Sequence, residues 1–129
     1  MFAVTKKGRE KSMNTKISYL YRDAGNYKQY NECIIAGALS AKQIRAILDC
    51  CDMGEYFIPR QVGIPEYRFD TYDPQADHCR FELAADSFSE TRESPTIALT
   101  PTELVNRFEG CRNNWQDETY TPQMGGMNF

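Results

Sequence analysis

Two helix starts carry nearly complete local signals, and they constrain the fold of this chain more than any other feature. Ser40 occupies the position of an N-cap, and Gln43 follows it at the spacing of a capping box. The pattern recurs at Thr100, which is followed by Pro101 at the first helical position and then by Glu103. Because these residues satisfy backbone N–H groups that a helix start leaves unpaired, the sequence predicts helices beginning after Ser40 and Thr100.

Apolar residues support both starts and predict which face of each helix is buried. A hydrophobic staple pairs Leu39 with Ile44 in the first helix and Leu99 with Leu104 in the second. Gly54 is the predicted end of the first helix. The predicted buried faces consist of Ile44, Ile47, Leu48 and Cys51 in the first helix, and of Leu104, Val105, Phe108, Cys111 and Trp115 in the second.

Strand-like segments lie before and between the helices. Residues 16–22 alternate in polarity, as in a strand whose two faces have different surroundings, and Ile17, Tyr19 and Tyr21 share one of those faces. Turn-forming residues then separate this strand from a predicted return strand. The return strand is predicted over 31–38, and shorter strands are predicted over 56–58, 67–72 and 78–83. In the last of these, Cys79, Phe81 and Leu83 should face inward. A surface loop is predicted over 85–95.

The order of these elements predicts the fold class. Strand, strand, helix, short strands and helix show no regular βαβ alternation, so we expect an α+β fold with a small antiparallel sheet of about four to five strands and two helices packed on one face. The other face of the sheet should then be partly open. We expect a flexible basic arm over 1–14, a single domain over 15–116 and a flexible tail over 117–129.

Charge and composition narrow the classes of function. The net charge of −3 combines +3 in the first twelve residues with −6 in the remainder, and an acidic body disfavours contact with nucleic-acid phosphates. No apolar run reaches the length of a membrane span, and the first residues are charged where a signal peptide is apolar, so a cytoplasmic protein without membrane contact is expected. The five cysteines lack framework spacing and are expected to be free thiols.

No motif for catalysis, a cofactor or a metal stands out from the background. The only histidine, His78, adjoins Cys79, and neighbouring residues on a strand point to opposite faces, so these two cannot form a nucleophilic pair. Approach of Cys33 or Cys50 to His78 leaves a thiol-dependent enzyme as one alternative. Zinc-type ligand pairs, a calcium-binding loop and a phosphate-binding glycine loop are absent from the sequence. We therefore predict no catalytic residue, no cofactor and no metal.

Six short stretches of the sequence form a recognisable set: ISYLYRDAGNY (17–27), GEYFIP (54–59), VGIPE (62–66), RF (68–69), DH (77–78) and FEL (81–83). Together they resemble a group of proteins found in mobile elements and phages of gut bacteria. The members of that group are short and have no known activity. The resemblance covers most of residues 16–116 and implies a cytoplasmic accessory protein, with no catalytic residue to carry over.

These observations lead to one principal hypothesis about function and two alternatives. The principal one is a non-enzymatic module that binds a protein partner, since tyrosine is abundant and suits a half-exposed sheet face. Its predicted contact residues are Tyr19, Tyr21, Tyr56, Arg60, Gln61 and Val62. The first alternative is an acidic inhibitor of a host defence nuclease, similar in action to an anti-CRISPR protein, with Asp70, Asp73, Asp77, Asp86, Glu90 and Glu93 as its acidic surface. The second is the thiol-dependent enzyme.

Overall fold

The computed structural model describes residues 13–66 and 80–116. Within them lie five strands and two helices, in the order β1, β2, α1, β3, β4, β5 and α2. Their bounds are Asn14–Arg22 for β1, Lys28–Ile35 for β2, Ala41–Cys50 for α1, Tyr56–Phe57 for β3, Phe81–Glu82 for β4, Phe88–Thr91 for β5 and Pro101–Cys111 for α2, with short 3-10 turns at Pro59–Val62 and Ala85–Ser87. Neither helix of this described part has the length and apolar character needed to cross a bilayer.

The sheet is antiparallel and is organised around β1. One edge of β1 pairs with β2 along almost the whole strand, from Thr15 opposite Ile35 to Arg22 opposite Lys28. The other edge is shared, because β5 pairs with residues 14–17 and β4 pairs with Leu20 and Tyr21. Strand β3 then pairs with β4. The predicted α+β fold with a small antiparallel sheet is therefore confirmed.

The alternation of β1 separates a covered face of the sheet from an open one. Ile17, Tyr19 and Tyr21 are almost completely buried, whereas the residues between them are partly or fully exposed. The buried face joins one apolar core with Ile47 of α1 and Leu104 of α2. Both helices therefore cover the same face of the sheet, as the sequence predicted, and their apolar faces supply the burial that stabilises the fold.

Both helix starts form as predicted. The Ser40 hydroxyl accepts from the Gln43 backbone N–H at 3.1 Å, and the Gln43 side chain accepts from the Ser40 N–H at 2.9 Å. The Thr100 hydroxyl likewise accepts from the Glu103 N–H at 3.2 Å, and the Glu103 carboxylate accepts from the Thr100 N–H at 3.0 Å. Each capping box satisfies two N–H groups that would otherwise lack a partner.

The first helix ends earlier than predicted. Its last helical residue is Cys50, and Cys51 is already extended, with φ −78° and ψ 149°. The reason lies in the next few residues, where the Asp52 N–H donates to the Tyr56 carbonyl at 2.9 Å and begins the pairing that leads into β3. Gly54, the predicted stop, instead lies inside this turn with φ +73°.

Two further predictions about the sheet are corrected. The predicted surface loop over 85–95 contains β5, whose backbone pairs with β1 from Asn14–Thr91 to Ile17–Phe88. The return strand begins at Lys28 rather than at residue 31, because its first residues pair with the end of β1 despite their polar side chains. Some predictions fall outside the described residues: the strand over 67–72, the inward-facing Cys79, the arm up to residue 12 and the tail after residue 116. Asn14, which was assigned to the arm, belongs to β1.

The start of β1 is held by side chains that bond to the turn after β2. The buried Thr15 hydroxyl donates to the Gly37 carbonyl at 2.8 Å and accepts from the Leu39 N–H at 3.1 Å. The Asn14 side chain accepts from the Gly37 N–H at 3.0 Å and donates to the Glu93 carbonyl at 2.8 Å. These bonds satisfy four backbone groups that lie outside the helices and strands. Those at Gly37 and Leu39 hold the segment that leads from β2 into α1.

Candidate functional site

A row of four side chains crosses the open face of the sheet, one from each of four neighbouring strands. Cross-strand register places Tyr30 of β2 opposite Leu20 of β1, Leu20 opposite Glu82 of β4, and Glu82 opposite Tyr56 of β3. Directly opposite residues of antiparallel strands share a face, so all four point away from the helices. Tyr30 keeps 71% of its surface exposed, and Tyr56 and Leu20 are partly exposed. We call Tyr30, Leu20, Glu82 and Tyr56 the cross-strand row.

An ion pair joins Glu82 of the cross-strand row to Arg22, which lies beside the row on β1. Arg22, the next residue of β1 on this face, places Nε 2.9 Å from a Glu82 carboxylate oxygen and a second nitrogen 3.3 Å from the other oxygen. This two-point contact raises the pKa of Arg22, with a smaller contribution from Tyr30 and Tyr56 nearby. The pKa of Tyr56 is raised chiefly by a hydrogen bond with Glu55. The face thus combines two tyrosine rings with a geometrically fixed ion pair, a composition suited to protein contacts.

The structure divides the predicted contact residues among three places. Tyr56 lies on the open face, as described above. Tyr19 and Tyr21 lie on the opposite face and are 2% and 0% exposed, so they cannot form an exposed contact surface. Both rings pack against Phe81, at centroid distances of 5.9 and 5.0 Å. The prediction was wrong for these two because β1 turns its odd-numbered residues toward the helices.

Arg60, Gln61 and Val62 belong to the 3-10 turn that packs against α2, away from the open face. Val62 is fully buried, which excludes it as a contact residue. Gln61 binds the backbone of Gln116, donating to its carbonyl at 2.7 Å and accepting from its N–H at 3.2 Å. The backbone N–H of Arg60 donates to the Glu66 carboxylate at 2.8 Å. The polar groups of this turn therefore stabilise the chain locally and are not gathered with Tyr56.

The predicted acidic surface is described only in part. Asp86, Glu90 and Glu93 are exposed, while Asp70, Asp73 and Asp77 lie outside the described residues. Glu93 is paired with Lys16, whose Nζ lies 2.7 Å from its carboxylate, and this hydrogen bond lowers the pKa of Glu93. A carboxylate held by a lysine contributes less negative field than a free one, so Glu93 is poorly suited to mimic a phosphate.

The four cysteines of the described segments have thiols that resist ionisation. Burial raises the pKa of Cys33 to about 11 and that of Cys51 to about 12, and it also raises the pKa of Cys50 and Cys111. A reactive cysteine needs the opposite shift, because the thiolate is the nucleophile. His78 and Cys79 lie outside the described residues. No activated thiol is found among the four.

Alkylation kinetics should reflect this burial. In the folded protein at pH 8, we expect iodoacetamide to modify Cys33 and Cys51 at least about tenfold more slowly than in urea, because the thiolate is disfavoured and the side chains are buried. The half-exposed Cys111 should react first of the four. Peptide mass spectrometry of timed samples measures each site. Rapid modification of Cys33 or Cys51 in the native state would contradict the burial and revive the thiol-enzyme hypothesis.

Metal ligands do not converge in the part of the chain that the structure describes: no group of three or more His, Cys, Asp or Glu side chains is found there. Comparison with protein-family models, with curated proteins and with solved structures found no match.

Sequence reasoning missed most of this face, although a signal was present. Leu20 and Arg22 lie at even positions of β1, on the face that seemed less apolar, and Tyr30 preceded the predicted start of the return strand. Extending the alternation of β2 back to Lys28 would have placed Tyr30 beside Leu20. Glu82 carried no local signal of its pairing with Arg22, because the two residues are sixty positions apart.

Proposed function

We propose that the chain is a non-enzymatic, cytoplasmic module that binds a protein partner through the open face of its sheet. The observation that supports this most strongly is the cross-strand row, in which Tyr30, Leu20 and Tyr56 lie on a face that the helices do not cover. Tyrosine contributes large contact area at low entropic cost and is enriched where binding energy concentrates. The resemblance to proteins of mobile elements suggests an accessory factor as the setting.

The arrangement also favours binding over catalysis as the role of this face. Arg22 and Glu82 neutralise each other at 2.9 Å, so neither is available as an unpaired charge for acid–base chemistry. An ion pair of this kind instead gives orientation to a contact that the tyrosines make. The acidic-inhibitor and thiol-enzyme hypotheses remain predictions, since no contact among the described residues favours either of them.

The proposal is tested by photo-crosslinking from two matched positions. Benzoylphenylalanine replaces Tyr56 on the open face in one variant and Arg45, exposed on α1, in the other, and both are expressed in the native host. We expect a protein crosslinked from position 56 and not from position 45. In the purified complex, Leu20→Glu should weaken binding by at least about tenfold, because it places a charge at the centre of the contact.

The controls separate loss of binding from loss of folding. Lys42→Glu, a charge change on the exposed surface of α1, should leave binding unchanged, and circular dichroism should show that Leu20→Glu keeps its secondary structure. A partner crosslinked equally well from position 45, or one whose affinity is insensitive to Leu20→Glu in the folded variant, would refute the open face as the binding site.

A further inference from the structure

The outer edge of β2 presents backbone groups that no other strand of the described residues satisfies. The direction of these groups follows from Ile34, whose N–H donates to the Thr96 hydroxyl at 2.8 Å and whose carbonyl accepts from the Thr96 N–H at 2.8 Å. Ile34 therefore points its backbone away from β1. Because this direction alternates along a strand, Lys28, Tyr30 and Glu32 also point their N–H and C=O groups outward.

The three outward residues form a bounded edge. At one end, residues 96 and 97 bond to Ile34 and close the edge against further pairing. At the other end, the turn of residues 23–27 begins, held by the Asp23 N–H donating to the Tyr27 carbonyl at 3.0 Å. Between these limits the edge is exposed, with Tyr30 at 71% and both Lys28 and Glu32 exposed. An unpaired edge of this kind is a template for an additional strand.

We propose that a second copy of this chain pairs with this edge, with β2 of each copy lying antiparallel to the other about a two-fold axis at Tyr30. In this register Tyr30 lies opposite Tyr30 of the second copy, and Lys28 lies opposite Glu32 on both sides of the axis. Each of these pairs exchanges two backbone hydrogen bonds. The proposal does not depend on the proposed function, because it concerns the purified protein alone.

Charge favours this register over two-fold axes at the other two outward residues. A two-fold axis at Lys28 would place two lysines opposite each other, and an axis at Glu32 would place two glutamates opposite each other. Like charges directly opposite on neighbouring strands are destabilising, whereas opposite charges stabilise the pairing. An axis at Glu32 would also require pairing beyond the edge that Thr96 closes. Only a two-fold axis at Tyr30 pairs all three outward residues with one another and places each charged side chain opposite one of the other sign.

The expected association is weak and reversible. A contact of three residue pairs falls below the standard size of a stable protein interface, so we expect a dissociation constant on the order of 10–100 µM at low salt. The dimer would join the two sheets edge to edge. Because Tyr30 and Lys28 point to the open face, the open faces of both copies would then form one continuous surface.

Charge reversal tests the register directly. Lys28→Glu alone and Glu32→Lys alone each place like charges opposite one another twice, once on each side of the axis, so each should weaken dimerisation by at least about tenfold. The double variant Lys28→Glu/Glu32→Lys restores opposite charges and should dimerise within about threefold of the original chain. Sedimentation velocity of the full chain between about 10 µM and 1 mM measures each constant.

Each remaining outcome counts against the proposal. An original chain that stays monomeric at 1 mM overturns it, as does a single variant that dimerises like the original chain while its circular dichroism is unchanged. A double variant that is no better than the single ones would show that the charges do not face each other. Because no partner protein is present, none of these results bears on whether the open face binds one.

Discussion

Replacing Phe81 with alanine is expected to lower the free energy of unfolding by about 3–5 kcal/mol, the usual range for removing a buried phenylalanine. Phe81 is fully buried on the covered face of the sheet. Its ring contacts Tyr19, Tyr21 and Phe57 at centroid distances between 5.0 and 6.4 Å. Alanine would leave a cavity that three rings cannot close without losing their own contacts.

Two companion variants make this expectation specific. Phe81→Leu keeps most of the volume and should cost less than about half as much as alanine. Phe88→Ala makes the same chemical change in β5, where the side chain is only half-buried, and should also cost less. Guanidinium unfolding followed by tryptophan fluorescence measures all three. Equal losses for Phe81→Ala and Phe88→Ala would contradict the central place of Phe81, and Phe81→Leu keeps the comparison available if the alanine variant does not fold.

Removing Trp115 should have a comparable effect, about 3–5 kcal/mol for alanine. The residue lies four positions after the last residue of α2 and folds back onto the core, where its ring meets Phe57 at 6.4 Å and Phe108 at 5.8 Å. Its indole N–H donates to the Cys50 carbonyl at 2.9 Å, in the last turn of α1. Trp115 therefore connects the ends of both helices to β3.

Substitution by phenylalanine separates the two contributions of this side chain. Trp115→Phe keeps much of the packing but leaves the Cys50 carbonyl without its donor, which should cost about 1–3 kcal/mol. Glu109→Ala, an exposed change on α2, should stay within about 0.5 kcal/mol. Thermal unfolding followed by circular dichroism suits this series, because the only tryptophan is being changed. If alanine and phenylalanine were equally destabilising, the hydrogen bond rather than the packing would be the main contribution.

The helices and the division of β1 into two faces were predictable because their causes are local. Ser40 with Gln43 and Thr100 with Glu103 are close in sequence, and their hydrogen bonds form within one turn. The alternation of β1 likewise revealed which residues share a face. The sequence could not show which of those faces the helices cover. The helices cover the face that contains Tyr19 and Tyr21, so these two residues lie in the core and not on the predicted contact surface.

The missed elements depend on backbone pairing that their own side chains do not indicate. Strand β5 contains Phe88, Ser89, Glu90 and Thr91, with no apolar alternation, and it is a strand because its backbone pairs with the start of β1. Strand β2 begins at Lys28 because its backbone pairs with Arg22 at the end of β1, within the hairpin, and its polar side chains did not indicate this pairing. The cross-strand row combines four strands, so its residues become neighbours only after the sheet has formed. Side-chain propensity contributes little where backbone pairing decides the structure.

The two-sided pairing of β1 sets an order of events during synthesis of the chain. Its contact with β2 needs the chain only as far as residue 35, whereas its other edge waits for residues 81–91 to emerge. Closing that long loop is slow compared with forming a hairpin, because contacts far apart in sequence carry a larger entropic cost. A nascent chain therefore carries β1 with one unpaired edge until residues 81–91 have been translated, and that interval is when an unwanted strand would most readily attach.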